Sequence, residues 1–258
     1  MEEAQTAQEL YNMGKNYLSI RNYEKAEEYL TKAVVKGSGK AGRDLMWLGQ
    51  YYLEQKDAEA LACFRTLANH GSVEANLLLG EIYRDGQIVR TSIDLAFGSF
   101  CEAYRLGSGR GAYEAGMLIW RDVYRDDAAR ECAKEWFQAA VDDGYNPAYT
   151  QMGLLFSDGR PTNLKEAYEW FRKGMEKGNT DCMVYLAGMH VTGHGTSKDI
   201  KKGISLMERA AKEGSVKANT ILGELYANGV FVSRNAKKAS EYNEEAERLR
   251  NEQENSAD

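Results

Sequence analysis

A small residue followed eleven positions later by glycine recurs along the chain. The pairs are Ala26/Gly37, Ala60/Gly71, Ala96/Gly107, Ala133/Gly144, Ala167/Gly178 and Gly203/Gly214, and the small residues stand 34, 36, 37, 34 and 36 positions apart. Ala239 continues the series 36 later, where Arg250 takes the place of the glycine. A second series runs ahead of the first: Gly14, Gly49, Gly80, Gly116, Gly153, Ala187 and Gly223. A period of about three dozen confines a chain to stacked supersecondary units, because one such unit cannot bury its own apolar face.

Three residues after each member of the second series stand Tyr17, Tyr52, Tyr83, Ile119, Phe156, His190 and Tyr226. One residue before lie Met13, Leu48, Leu79, Ala115, Met152, Leu186 and Leu222. At 3.6 residues per turn these fall on one helical face, with the small residue admitting a partner helix. The first series opens a second helix in each repeat. It carries bulky residues three and four positions on, as at Trp136/Phe137 and Trp170/Phe171, and ends at a glycine suited to the left-handed conformation. The aromatic run KEAYEWFRKGMEKGN (165–179) is thus one instance of a packing slot, and not a ligand box. Only two prolines occur, and β-branched alternation is scarce, so the chain reads as all-α.

With 258 residues, 43% of them hydrophobic, the chain can build a sizeable core. Its 33 basic against 39 acidic residues give a net charge of −6. That balance argues against nucleic acid and against a polybasic membrane anchor. MEEAQTAQELY lacks the basic start and apolar run of a signal peptide, and no apolar segment reaches membrane-spanning length. The expected location is cytoplasmic, with no membrane insertion, leaderless export remaining open. Cys63, Cys101, Cys132 and Cys182 form no CxxC and read as reduced apolar fillers.

The segments VEANLLLGEIYRDGQIV (73–89), VKANTILGELYANGVFV (216–232), AGMHVTGHGTSKDIKKG (187–203) and LKEAYEWFRKGMEKG (164–178) resemble the Sel-one-like repeat (SLR) family, a branch of the tetratricopeptide repeat superfamily. The resemblance covers about residues 7 to 250. It implies a right-handed α-solenoid of about seven helix-turn-helix repeats, at about 7–39, 40–72, 73–108, 109–145, 146–179, 180–215 and 216–251, within one domain spanning 1–251 and followed by a charged tail at 252–258. LYNMGKNYLSIRNYEKAEEYLTKA (10–33) departs toward an ordinary tetratricopeptide repeat with a short turn. Repeat four replaces the glycine loop with WRDVYRDDAARE (120–131). Many family members are bacterial and act as adaptors, so the resemblance implies a non-catalytic scaffold with a protein or peptide partner on its concave face. Two alternatives stand beside it: a regulatory or immunity-type subunit that masks an enzyme, and a hydrolase with the β-lactamase-like activity ascribed to disulfide-bearing relatives. The repeat-stapling disulfides of those relatives have no counterpart here.

No catalytic, cofactor or metal constellation emerges from the residues. HVTGH (190–194) has metal-sharing spacing but lacks the glutamate of the zinc-protease motif, and His190 occupies the repeat's aromatic position. GSGKAGRD (37–44) and GSGRGA (107–112) lack the order of a phosphate loop and match inter-repeat turns. The acidic pairs Asp126/Asp127 and Asp142/Asp143 fall at loops or helix ends.

By analogy with tetratricopeptide grooves, partner-facing positions lie three before, one after and four after each first-helix small residue. That frame selects Leu77, Glu81 and Arg84, then Tyr113, Met117 and Trp120, then Thr150, Leu154 and Ser157. The expected groove centres on Tyr113, Met117 and Trp120, is flanked by Arg84, Arg110 and Arg121, and takes an acidic-apolar peptide or helix. Trp120 either faces this groove or closes the core beneath repeat four; both readings stand at this point.

Overall fold

The computed structural model describes residues 5–123, 127–158 and 162–255. Two compact units divide the chain. The first, Met1–Asp143, holds α1 (Ala7–Ser19), α2 (Tyr23–Val35), α3 (Gly39–Glu54), α4 (Ala60–Asn69), α5 (Val73–Asp85), α6 (Ile93–Arg105), α7 (Gly109–Leu118), a π-helical turn (Ile119–Val123) and α8 (Asp127–Asp142). The second, Gly144–Asp258, holds α9 (Pro147–Ser157), α10 (Leu164–Glu176), α11 (Thr180–Thr192), α12 (Ile200–Lys212), α13 (Val216–Asn228) and α14 (Ala236–Asn255). Among the described residues there is no strand. Within each unit a helix packs chiefly on its neighbours in sequence, the arrangement of an α-solenoid.

The junction between repeats is written in a dipeptide. Gly37, Gly71, Gly107, Gly178 and Gly214 all adopt positive φ, between 79° and 93°, which side-chain-bearing residues rarely tolerate. The next residue, Ser38, Ser72, Ser108, Asn179 or Ser215, sends its backbone N–H back to the preceding helix, as from Ser38 to the Ala33 carbonyl at 2.9 Å. Its side-chain oxygen then accepts from a backbone N–H of the following helix, as from Ala75 to Ser72 Oγ at 3.2 Å. One residue thus ends a helix and starts another, fixing the angle at which repeats follow each other.

The core forms where the two helices of each repeat meet. A methyl group placed on Gly14 would lie 2.8 Å from Leu30 Cδ2, and on Gly49 or Gly116 it would lie 2.8 Å from a ring carbon of Phe64 or Phe137. Gly80 and Gly153 are pressed closer still by Phe100 and Phe171. In all five cases the large residue stands four positions after the second-helix alanine and is buried. Position three is more peripheral. Phe171 is 2% exposed, whereas Trp170 is half-buried, tilted against Tyr149 at 6.2 Å with Lys173 Nζ 4.4 Å over its ring. In the last repeat Asn243 meets Gly223, which leaves α14 without a large apolar anchor at that place.

The first two repeats turn tightly, with Arg21 and Lys56 at φ 59° and 58°. Repeats three, six and seven instead end their first helices at Gly86, Gly193 and Gly229, all at positive φ, and continue through longer loops. In repeat four, α7 runs into the π-helical turn at the segment where the glycine loop is missing from the sequence.

Two helical glycines separate packing from propensity. Gly153→Ala should cost about 1–3 kcal/mol by overpacking Phe171. Gly188→Ala, with no atom within 4 Å of an added methyl, should be neutral or stabilise by up to about 1 kcal/mol. Urea unfolding of the two variants checks this, and equal effects would contradict it.

Candidate functional site

In the first unit a cleft of about 520 Å³ opens at the C-terminal end of α5 and along α7. Arg84 and Asp85 line it from α5; Tyr113, Glu114, Met117 and Leu118 line it from α7; Arg121 reaches it from the π-helical turn. Tyr113, Met117 and Arg121 follow one another at four-residue intervals, so they form a stripe along the wall. Tyr113 is half-buried, its ring 5.9 Å from that of Phe137. Met117 is buried, and Arg121 is exposed.

The charges of this cleft are mostly matched. Arg84 donates from Nε and Nη2 to both carboxylate oxygens of Asp85, at 2.7 and 3.1 Å, and from Nη1 to Glu114 Oε2 at 2.9 Å. Arg110 donates to Glu81 Oε1 at 2.5 Å. The Arg84 guanidinium holds the Asp85 carboxyl below its ordinary range. Glu114 goes the other way: burial pushes its carboxyl up, and the favourable fields of Arg84, Arg110 and Arg121 do not restore it. Arg121 has no ion-pair partner among the described residues.

The sequence frame therefore brings together only part of its set. Arg84, Tyr113, Met117 and Arg121 line one cleft, with the Glu81–Arg110 pair bridging α5 and the start of α7. Leu77 is instead buried in the core of the first unit, because its turn of α5 faces the hydrophobic cluster. Trp120 is half-buried on the π-helical turn and is not among the residues lining the cleft. Leu154 belongs to the second unit, where it packs against the cluster of Ala167, Phe171, Cys182, Leu186 and Met189. The picture of free flanking arginines needs correction: Arg84 and Arg110 are already engaged by carboxylates. Asp85, Glu114 and Leu118 were missed, since each stands one position outside the frame.

Other sequence candidates resolve into structural roles. His190 is 3% exposed, set edge-on against Tyr168 at 5.7 Å, and its Nε2 lies 3.4 Å from the Tyr168 hydroxyl. Burial pushes its imidazole below the usual histidine range. His194, past the helix end at Gly193, is exposed, so the two histidines occupy different environments. Among the described residues no group of three histidine, cysteine or acidic side chains is placed to hold a metal ion. Burial raises the Cys182 thiol to about 12 despite its contact with the Thr150 hydroxyl at 3.3 Å, which keeps it protonated and a poor nucleophile. GSGKAGRD supplies the Gly37 turn and the Ser38 cap of α3; GSGRGA supplies the same parts for α7. Asp126 lies outside the described residues; Asp127, Asp142 and Asp143 are exposed. Among the described residues no helix is long and apolar enough to cross a membrane.

The family description "Sel1 repeat" matches residues 4–38, 73–108, 103–145, 146–179, 180–215 and 216–249. The chain belongs to the Sel1 repeat family. Residues 39–72, the tightly turned second repeat, lie outside those matches. The chain is similar to an uncharacterized protein of Neisseria meningitidis serogroup B, at 28% identity over 224 residues, which is 86% of this chain and 44% of that protein. It thus spans less than half the length of this curated relative. A Sel1 repeat protein from Oxalobacter formigenes superposes with a TM-score of 0.68 at 20% identity, covering 92% of this chain and 96% of that one. A protective antigen of uropathogenic Escherichia coli with an SLR fold gives 0.60 at 21% identity, covering 97% and 65%. These likenesses show the Sel1 fold.

Glu114 offers a direct reading of burial against ion pairing. Its raised carboxyl binds the proton more tightly in the folded protein, so its contribution to stability is present at low pH and lost as pH rises through the shifted value. Glu114→Gln should therefore leave the urea-unfolding free energy at pH 7 unchanged or higher, with the gain vanishing near pH 4. A loss of about 3 kcal/mol or more would show that the pair with Arg84 dominates.

Proposed function

We propose that this Sel1 repeat chain is a non-catalytic protein-interaction scaffold that receives a protein or peptide partner at the α5–α7 cleft of its first unit. The observation that carries the reading is the stripe of Tyr113, Met117 and Arg121 along a cleft of about 520 Å³. Tyrosine and arginine are enriched among binding hot spots, and methionine adapts to varied shapes. Because Arg84 and Arg110 are neutralised in place, the partner needs only one acidic group, opposite Arg121, beside an apolar side chain over Met117.

A scaffold requires no activated nucleophile, and burial keeps the Cys182 thiol protonated. The four cysteines are free, two of them buried, which supports the cytoplasmic location proposed with this function.

A photo-crosslinking residue at Arg121, the exposed end of the stripe, should capture a partner in the host cell. With that partner purified, Arg121→Glu should weaken binding at least tenfold while leaving the thermal midpoint within about 2 °C. Full affinity in that variant would contradict the assignment of the cleft.

A further inference from the structure

A second surface of the first unit has a different chemistry. Tyr23 opens α2, and Trp47 and Tyr51 stand one turn apart on α3. The Tyr23 and Tyr51 rings are 4.8 Å apart, Trp47 stacks on Tyr51 at 5.8 Å, and Trp47 meets Tyr23 at 6.4 Å. Trp47 is nevertheless 51% exposed. An indole with half its area in water, held by two tyrosines, is a preorganised contact surface.

Tyr52, whose ring lies 6.1 Å from that of Tyr51, feels the charges of Glu27, Asp57 and Glu59. Glu24 follows Tyr23, and Glu27 lies one turn further along α2. Asp57 and Glu59 come from the turn after α3, where Asp57 Oδ1 accepts from the Glu59 backbone at 3.1 Å. None of the four is in an ion pair among the described residues. Burial, joined by the charges of Glu59, Asp57 and Glu24, pushes the Glu27 carboxyl up to about 7. From the packed side, Glu27 is felt by the Tyr52 hydroxyl of α3 and the Cys63 thiol of α4, both pushed up by burial and neutral. Of the neighbouring cations, Lys25 lies 5.3 Å over the Tyr17 ring, Lys56 is exposed in the turn, and Arg43, one turn before Trp47 on α3, is exposed and lines a separate cleft with Gly37 and His70.

The chain's own habits indicate what fits here. Lysine or arginine sits over Tyr11, Tyr17, Tyr29, Tyr83, Trp170, Tyr185 and Tyr226. Among the described residues the Tyr23–Trp47–Tyr51 face has no such cation of its own. We infer that this face docks an arginine- or lysine-bearing segment of a partner protein, with the cation on the Trp47 ring and its charge offset by Glu24, Glu27, Asp57 and Glu59. Ring quadrupole and carboxylates attract the same cation, and its arrival relieves the repulsion among the acids. This inference does not depend on the α5–α7 cleft.

The test uses the full chain and a tetra-arginine peptide, with tetra-glutamate and tetra-leucine-containing peptides as controls, at low ionic strength. The four indole N–H resonances are followed by NMR, Trp47 being assigned by Trp47→Phe. Tetra-arginine should shift the Trp47 signal saturably, and the controls should not. Trp47→Ala and Glu27→Lys should weaken binding at least fivefold. Glu176→Lys, which makes the same charge change in the second unit, should leave it intact. Binding should also weaken as pH falls from 8 to 5.5 and Glu27 takes up its proton. Glu27→Gln keeps the shape of the site should the lysine variant fail to fold, and should still bind more weakly at pH 8. Equal loss in Glu27→Lys and Glu176→Lys would reduce the effect to net charge and overturn the proposal. So would an equal response to the leucine peptide, or self-association of the parent that Trp47→Ala abolishes, which would make a second copy the occupant.

Discussion

One contact recurs through both units: a first-helix residue without a side chain lying beneath a large second-helix ring. Glycine inside a helix costs about 1 kcal/mol in propensity relative to alanine. Full burial of a phenylalanine against it returns about 1.5–3 kcal/mol. Phe64, Phe100, Phe137 and Phe171 sit in this way on Gly49, Gly80, Gly116 and Gly153. The balance favours the close approach in these four repeats, and a helix pair so joined leaves its first helix free to present other positions outward.

That arrangement positions the functional surfaces. Because Gly80 and Gly116 anchor α5 and α7 from behind, residues four after the one and three before or one after the other line the same cleft. The glycine–serine junctions set the angle between successive repeats, and the Glu81–Arg110 and Arg84–Glu114 pairs tie α5 to α7 across it. Surface ion pairs contribute little each, so their role here is to match charge and orient side chains more than to hold the fold.

Much of this was legible in the spacing of small residues. The helix pairs, the positive-φ glycines and the burial of Phe171 follow from periodicity, since steric demands repeat with the period. His190 likewise belongs to an aromatic slot, and it is buried against Tyr168. What the sequence did not disclose depends on side chains brought together from different repeats. Arg84 and Glu114 are 30 residues apart, so their pairing has no local signature. Leu77 shows the limit of a fixed frame: one turn of α5 faces inward in this repeat, and an apolar residue there joins the core. The Tyr23–Trp47–Tyr51 face escaped the frame because Trp47 and Tyr51 lie two residues to either side of Gly49, between the core and groove positions.

A double-mutant cycle at Gly80 and Phe100 measures the recurring contact most directly. Gly80→Ala and Phe100→Leu should each destabilise the protein, and the double variant should cost at least about 1 kcal/mol less than their sum, because the smaller leucine makes room for the added methyl. Additivity within about 0.3 kcal/mol would mean that the glycine and the ring do not constrain each other, and would contradict the account.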